Sequence, residues 1–263
     1  KIIFILVTMF GMFSIPASSR DLKELELDTF VNAAMKSFKI PGVAIGVIKN
    51  NNIQHLKGYG VKNINRSELI DADTMYSIAS NTKAFTASAL AILVDDEIIN
   101  WDDKVIDYLP NFRMMDPWIT AEFTIRDLLT HRSGLGLGAG DLMFWPSTGV
   151  TREEIVKNVR YLKMVSGFRA KYAYDNTLYV VAGEVIASAS NMSFENFVQI
   201  RIMDQLAISN GCKADITKIS NNDNIASPHV NLDGELMVVG RLNEPGKPMV
   251  IAAAGGIQCS ARA

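Results

Sequence analysis

The sequence predicts an α+β fold: an antiparallel sheet flanked by helices, with a long helical insert. Three observations carry that expectation. Strand-like runs lie toward both ends of the chain, over 43–59 and again within 207–263, while the stretch between, about 80–206, is mostly helical in pattern. Within that insert, residues 84–94 have no charge on any face, which marks a helix buried all round. The chain is also long enough for a core, with 263 residues, 48% of them hydrophobic and 21% charged. At that size roughly 70–75% of the unfolded surface is buried. A single domain is expected over 20–263.

The first nineteen residues read as a leader. Lys1 precedes an apolar run from Ile2 to Ile15, and Pro16 then introduces the small residues Ala17, Ser18 and Ser19. That is the layout of a signal peptide cut after Ser19. The run is shorter than the ~20 residues that span a bilayer. The expected protein is therefore exported, periplasmic or secreted, with no membrane span after leader removal.

The remaining elements follow in order. Residues 21–38 carry Leu25, Leu27, Phe30, Val31, Ala34 and Phe38 at helical spacing, and Pro41-Gly42 ends that helix. Residues 43–48 and 53–59 flank Lys49-Asn50-Asn51-Asn52, an antiparallel hairpin around an Asn-rich turn. Thr124 and Asp127 suit a capping box for a short helix with Gly134 as its stop. Further helices are expected at 152–165, 177–190 and 193–206. The last part is Asn- and Gly-punctuated and partly strand-like, as over 229–238.

Composition excludes several functions. With 26 basic against 28 acidic side chains the net charge is −2, and no basic run offers a nucleic-acid surface. His55, His131 and His229 are scattered and neither HExxH nor CxxC occurs, so no metal and no cofactor is expected. Cys212 and Cys259 make at most one bridge, and two unpaired thiols fit as well. The glycines from 134 to 140 follow a helix and lack a G-K-[ST] ending, so they read as a flexible loop closed by Phe144-Trp145-Pro146, not a phosphate cradle.

Two short constellations offer chemistry. Ser80 stands at the start of the buried helix, with Lys83 one turn on, where side chains i and i+3 are neighbours. A serine hydroxyl needs an adjacent base to become a nucleophile, and an amine one turn away can be that partner. Tyr174-Asp175-Asn176 adds a phenol able to relay a proton and an amide able to orient a lysine and bond a substrate carbonyl. Taken singly, each has a plain alternative. Ser80 suits a helix cap and Lys83 a surface lysine; Asp175 or Asn176 suits a cap for 177–190, with Tyr174 a half-buried aromatic. His131 reads better as a residue meeting the last carbonyls of its helix than as part of a triad.

Together the motifs have a family order. Ser80-x-x-Lys83, Leu128-Leu129-x-His131-x-Ser133-Gly134-Leu135, Tyr174-x-Asn176 and Ala254-Gly255-Gly256 resemble the serine β-lactamase and penicillin-binding-protein superfamily. The likeness is to the branch of class C β-lactamases, D-alanyl-D-alanine carboxypeptidases and related esterases. The resemblance implies Ser80 as acyl-forming nucleophile, Lys83 as its activating partner, Tyr174 as the base and Asn176 as a substrate-binding amide. It implies a small-molecule or peptide substrate: a β-lactam, a D-amino-acid peptide or a carboxylic ester. Other roles for such a scaffold are a non-catalytic penicillin- or cell-wall-binding module and a filament-forming structural protein.

Two departures stand out. Asp175 replaces the small residue, usually serine, expected between the tyrosine and asparagine, and should add a negative charge near the site. The family's third motif, a Lys-Thr-Gly or His-x-Gly triplet, does not occur. The resemblance thus implies a fragment whose sheet is incomplete at the C-terminus, with the last strands and helix absent. Activity of these 263 residues is expected to be impaired, since losing one oxyanion donor costs about 10²- to 10³-fold.

Overall fold

The computed structural model describes residues 24–146, 148–220, 223–240 and 249–263. The expected leader at 1–19 lies outside the described residues. The first helix, α1 (Glu24–Phe38), ends as Lys39 takes a positive φ of 52° before Pro41. The predicted hairpin follows as β1 (Gly42–Lys49) and β2 (Asn52–Gly60), paired antiparallel from Gly42 opposite Gly60 to Lys49 opposite Asn52. Its turn residues Asn50 and Asn51 both have positive φ, 51° and 62°. That is the twist a two-residue hairpin turn prefers, and asparagine tolerates it better than most side chains.

Asp28 ties α1 to β2, accepting from Lys57 Nζ at 2.7 Å and Tyr59 OH at 2.6 Å. The apolar stripe foreseen on α1 is real as a pattern but not as a buried face. Val31 is buried, whereas Leu25, Phe30 and Phe38 are exposed. Periodicity places the helix and its stripe; burial needs a partner surface, and α1 meets β2 through this polar cluster.

β3 (Tyr76–Ser77) leads through a 3-10 turn, Ala79–Asn81, into α2 (Thr82–Asp95). As the uncharged run predicted, α2 is central, with Ala89, Leu90 and Leu93 fully buried. Three short helices follow: α3 (Val105–Tyr108), α4 (Pro117–Glu122) and α5 (Ile125–Leu129). The predicted capping box starts α5: Thr124 Oγ1 accepts the Asp127 N–H, and Asp127 accepts the Thr124 N–H at 2.9 Å. The helix stops before Gly134, because His131 already turns the chain with φ 56°.

α6 (Arg152–Asn158) continues only as a 3-10 turn to Tyr161. The helix expected to 165 is cut short there because the chain extends to meet the glycine loop. Met164 bridges Leu135, and the Val165 N–H donates to Gly134 O at 2.9 Å. α7 (Thr177–Ser190) has the predicted bounds. α8 (Phe194–Val198) passes into a π-type turn over Gln199–Met203, shorter than the α-helix expected over 193–206.

The last part supplies β4 (Cys212–Lys213), the hairpin β5 (His229–Leu232) and β6 (Glu235–Val238), α9 (Ala252–Gly255) and β7 (Gln258–Cys259). β7 lies between β3 and β4, antiparallel to both. α2 and α7 pack side by side, α9 rests on both, and α5, α6 and α8 close around α7. Gly183 makes the α7–α9 approach possible, since a Cβ there would stand 2.7 Å from Ala253 Cβ. Among the described residues no helix is long and apolar enough to cross a membrane.

Cys212 and Cys259 face each other in register across β4 and β7 and form a disulfide, so the choice left open by the sequence falls on the bridge. It closes a separation of 47 residues across two-residue strands, where ladder bonds are few. Bridges of this kind contribute about 2–4 kcal/mol. Replacing both cysteines by serine should lower the thermal midpoint by about 5–15 °C. Reductant should lower the wild-type midpoint alike and leave the double variant unmoved. A wild-type midpoint indifferent to reductant would contradict the bridge.

Candidate active site

Ser80 sits in the 3-10 turn at the entrance to α2, exposed on the surface. β3 and β7 set its place: Tyr76 pairs with Cys259, and the Ile78 N–H donates to Ile257 O at 3.0 Å. Ala79 just before it has φ 45°, a conformation that is strained for a residue with a Cβ. The chain bends at this residue between β3 and α2, and Ser80 follows on the surface.

Lys83 lies one turn along α2 and is 7% exposed. Its ammonium has three donors and no acceptor. It donates to Ser80 Oγ at 3.2 Å, Asn176 Oδ1 at 2.8 Å and Ala254 O at 2.9 Å. Thr86 Oγ1 donates to Ala253 O at 2.6 Å and the Ile257 N–H donates to Thr82 Oγ1 at 3.2 Å. These bonds clip α9 along α2, which brings the Ala254 carbonyl to the lysine. The sequence singled out the Ala-Gly-Gly segment only as a family marker; nothing local in it signals that a carbonyl there receives Lys83.

Tyr174 closes the group from the other side. Its OH donates to Ser80 Oγ at 2.7 Å, and Lys83 Nζ lies 4.7 Å from its ring centroid. All four residues singled out in the sequence thus meet across separations of more than ninety positions. With the Ser80 hydroxyl between them, Lys83 and Tyr174 are placed to exchange a proton with it and leave its oxygen free to attack a carbonyl carbon.

His131 does not end α5 in the way expected. The left-handed turn carries its ring away from the α5 carbonyls and against Tyr174, 4.5 Å between centroids, with Tyr179 on another side at 5.3 Å. Its Nδ1 accepts the Asp175 N–H at 3.2 Å, a bond that needs that nitrogen unprotonated. Burial first, and Lys83 second, hold the imidazole below its ordinary pKa, so the neutral ring suits this position. It backs the tyrosine and does not touch Ser80.

Asp175 also departs from expectation. It is fully buried, and its Oδ1 accepts the Leu178 N–H at 3.0 Å, capping α7. Among the described residues Oδ2 has no hydrogen-bond partner. Desolvation pushes this carboxyl up to about 7, so near neutral pH it is not the full negative charge the sequence suggested. The capping alternative fits Asp175 rather than Asn176, whose side chain makes no cap bond.

The glycine loop expected to be flexible is instead latched to the site. The Gly138 N–H donates to Tyr174 O at 2.9 Å and Thr177 Oγ1 donates to Ala139 O at 2.8 Å. Gly140 has φ 87°, and a Cβ there would fall 2.5 Å from Thr177 Oγ1, so only glycine lets the loop lie so close. This latch delivers Asp141 to Asn176, a neighbour the sequence reading missed. A lone aspartate in a glycine-rich loop has no local signature that would reveal it.

Comparison with known proteins bears on the family and the fold. The family model described as Beta-lactamase matches residues 27–211. The chain is 31% identical over 205 residues to the unguisins hydrolase ungD of Aspergillus violaceofuscus, covering 75% of this chain and 36% of that protein. It superposes on the octameric penicillin-binding protein homologue from Pyrococcus abyssi with a TM-score of 0.77 at 25% identity, covering 92% of this chain and 54% of that one. A class C β-lactamase gives a TM-score of 0.72 at 18% identity, covering 90% and 60%, which is a likeness of fold. The chain thus spans about a third of that curated relative and little more than half of those solved chains. With its helical insert, its small antiparallel sheets and the matched 27–211, this chain belongs to the Beta-lactamase family.

Proposed function

We propose that this protein is an exported serine hydrolase that forms an acyl-enzyme on Ser80 and releases it to water. One observation carries the reading: Ser80 Oγ is held between Tyr174 OH at 2.7 Å and Lys83 Nζ at 3.2 Å. In this mechanism one member of the Lys83–Tyr174 pair first gives up a proton to solvent and then takes the Ser80 proton as Oγ attacks the carbonyl carbon. The pair then returns a proton to the leaving group, and water takes the serine's place in the second half. The N-terminus of α2 lies at Ser80, where backbone dipoles favour the developing oxyanion. Asn176 bonds the substrate's carbonyl side. The substrate is a β-lactam, a D-amino-acid peptide or a carboxylic ester, with pocket shape deciding among them.

The hydrolase name of the unguisin relative and the family match support hydrolysis over a purely structural role. The test is covalent labelling with a fluorophosphonate probe, read by intact mass and peptide mapping. One adduct, on Ser80, is expected, and Ser80→Ala should abolish it. An adduct at wild-type stoichiometry in Ser80→Ala would overturn the mechanism.

A further inference from the structure

We propose that Asp141 is a positioning residue: its carboxylate sets the orientation of the Asn176 amide and so keeps Lys83 on Ser80. The effect on rate rests on the reading of Ser80 as nucleophile; the effect on the amide does not. An asparagine amide has an accepting oxygen and a donating nitrogen on two ends of nearly the same shape. On one side stands Lys83 Nζ, a pure donor, 2.8 Å from Asn176 Oδ1. On the other stand both oxygens of Asp141, acceptors when ionised, each 3.3 Å from Asn176 Nδ2. Turning the amide over would set nitrogen against ammonium and oxygen against carboxylate. Both contacts would then be repulsive, so the Asp141 carboxylate leaves the amide one orientation.

The loop is built to hold that carboxylate in place. The Phe144 and Trp145 N–H groups donate to Asp141 O at 3.1 and 2.8 Å, and the latch at Gly138, Ala139 and Thr177 joins the loop to the same stretch that carries Tyr174 and Asn176. Burial raises the Asp141 pKa against the pull of Asn176 and Lys83. The site thus keeps a partly desolvated acid whose one described side-chain hydrogen-bond partner is the amide. Without it, Asn176 can turn over, Lys83 loses one of its three acceptors and its Nζ can swing from Ser80 Oγ.

Two readouts in the same chain decide the matter. The first is the side-chain NH2 resonance pair of Asn176 in 15N spectra, assigned by its disappearance in Asn176→Asp. In Asp141→Ala this pair should shift and broaden as the amide samples two orientations. The second is phosphonylation by a fluorophosphonate probe, which forms an O–P bond at Ser80 and releases fluoride, resolved into maximal rate and half-saturating concentration. Asp141→Ala should cut the maximal rate about 10- to 100-fold, the scale of a misplaced catalytic group, with little change in half-saturation. Asp141→Asn, which keeps an accepting oxygen at the same reach, should recover the rate to within about threefold of wild type. An unmoved NH2 pair in Asp141→Ala overturns the proposal, as does an Asp141→Asn variant as slow as Asp141→Ala. If wild type itself takes no label at Ser80, the nucleophile reading falls and the NH2 pair alone decides the role of Asp141.

Discussion

Lys83→Ala and Tyr174→Phe should each slow covalent labelling of Ser80 by about 10²- to 10⁴-fold, the range for losing a positioned acid–base group. The double variant should be no more than about threefold slower than the worse single one, because groups acting as one proton-transfer unit are not additive. The geometry gives the reason. Both side chains converge on one oxygen, Ser80 Oγ, and Lys83 also lies against the Tyr174 ring. Removing either leaves the other without a complete path for the serine proton. Lys83→Ala also strips a donor from the Ala254 carbonyl and Asn176 Oδ1. Its melting curve should therefore be recorded beside that of Lys83→Arg, which keeps a donor in place but is not an equivalent base. The measurement is the second-order rate of fluorophosphonate labelling. Fully multiplicative losses would mean that lysine and tyrosine act independently and would rule out the shared relay.

Much of this was legible in the sequence, and the limits have physical causes. The 177–190 helix and the 43–59 hairpin are local objects: an apolar helical run and an Asn-rich turn specify them within a few residues. The helices expected over 152–165 and 193–206 begin correctly but end early. The first ends where the chain meets a distant partner, Gly134 accepting from Val165, and the second changes to a π-type turn at Gln199. Pattern reading extends an apolar period until a breaker stops it, and at 152–165 a tertiary hydrogen bond stops it first. α1 shows the converse case: the stripe is written in the sequence, but whether anything covers it is not.

The site divides along the same line. Ser80, Lys83, Tyr174 and Asn176 are legible because their motifs together stand in the order of a known family, although each alone has a plain alternative. Asp141, the Ala254 carbonyl and the ring of His131 are not, since their roles come from where a loop and a turn are folded. His131 is instructive. A histidine after a short helix suggests a contact with terminal carbonyls, but a positive φ at one residue redirects the ring to Tyr174. Asp175 misleads for a related reason, since the letter announces a full charge and burial raises the carboxyl to about 7.

That burial leads to the second large expected effect. Asp175 has its carboxyl raised from 3.8 to about 7 in the folded protein, mainly by desolvation. An unfolded chain releases this proton near pH 4, whereas the folded one holds it until about pH 7. Between those values the native state binds the extra proton, so the contribution of Asp175 is full below pH 4 and is lost as pH rises through 7. At one pKa unit per 1.36 kcal/mol the loss is at most on the order of 4 kcal/mol. Carboxylates held below their usual range, such as Asp127 beside Arg169, act oppositely, losing their contribution as pH falls below about 4. His131, with its pKa lowered, also loses its contribution on acidification, below its unfolded value near 6.5. Asp175→Ser isolates the buried acid from these. Serine keeps an oxygen able to cap α7 and removes the unpartnered Oδ2. Thermal midpoints taken at intervals from pH 4 to 8 should show wild type falling relative to Asp175→Ser as pH rises. The gap should open between pH 5 and 7 and level off above it. Parallel curves across that window would show that Asp175 is ionised in the folded protein as it is in water, and that its burial does not shift its proton equilibrium.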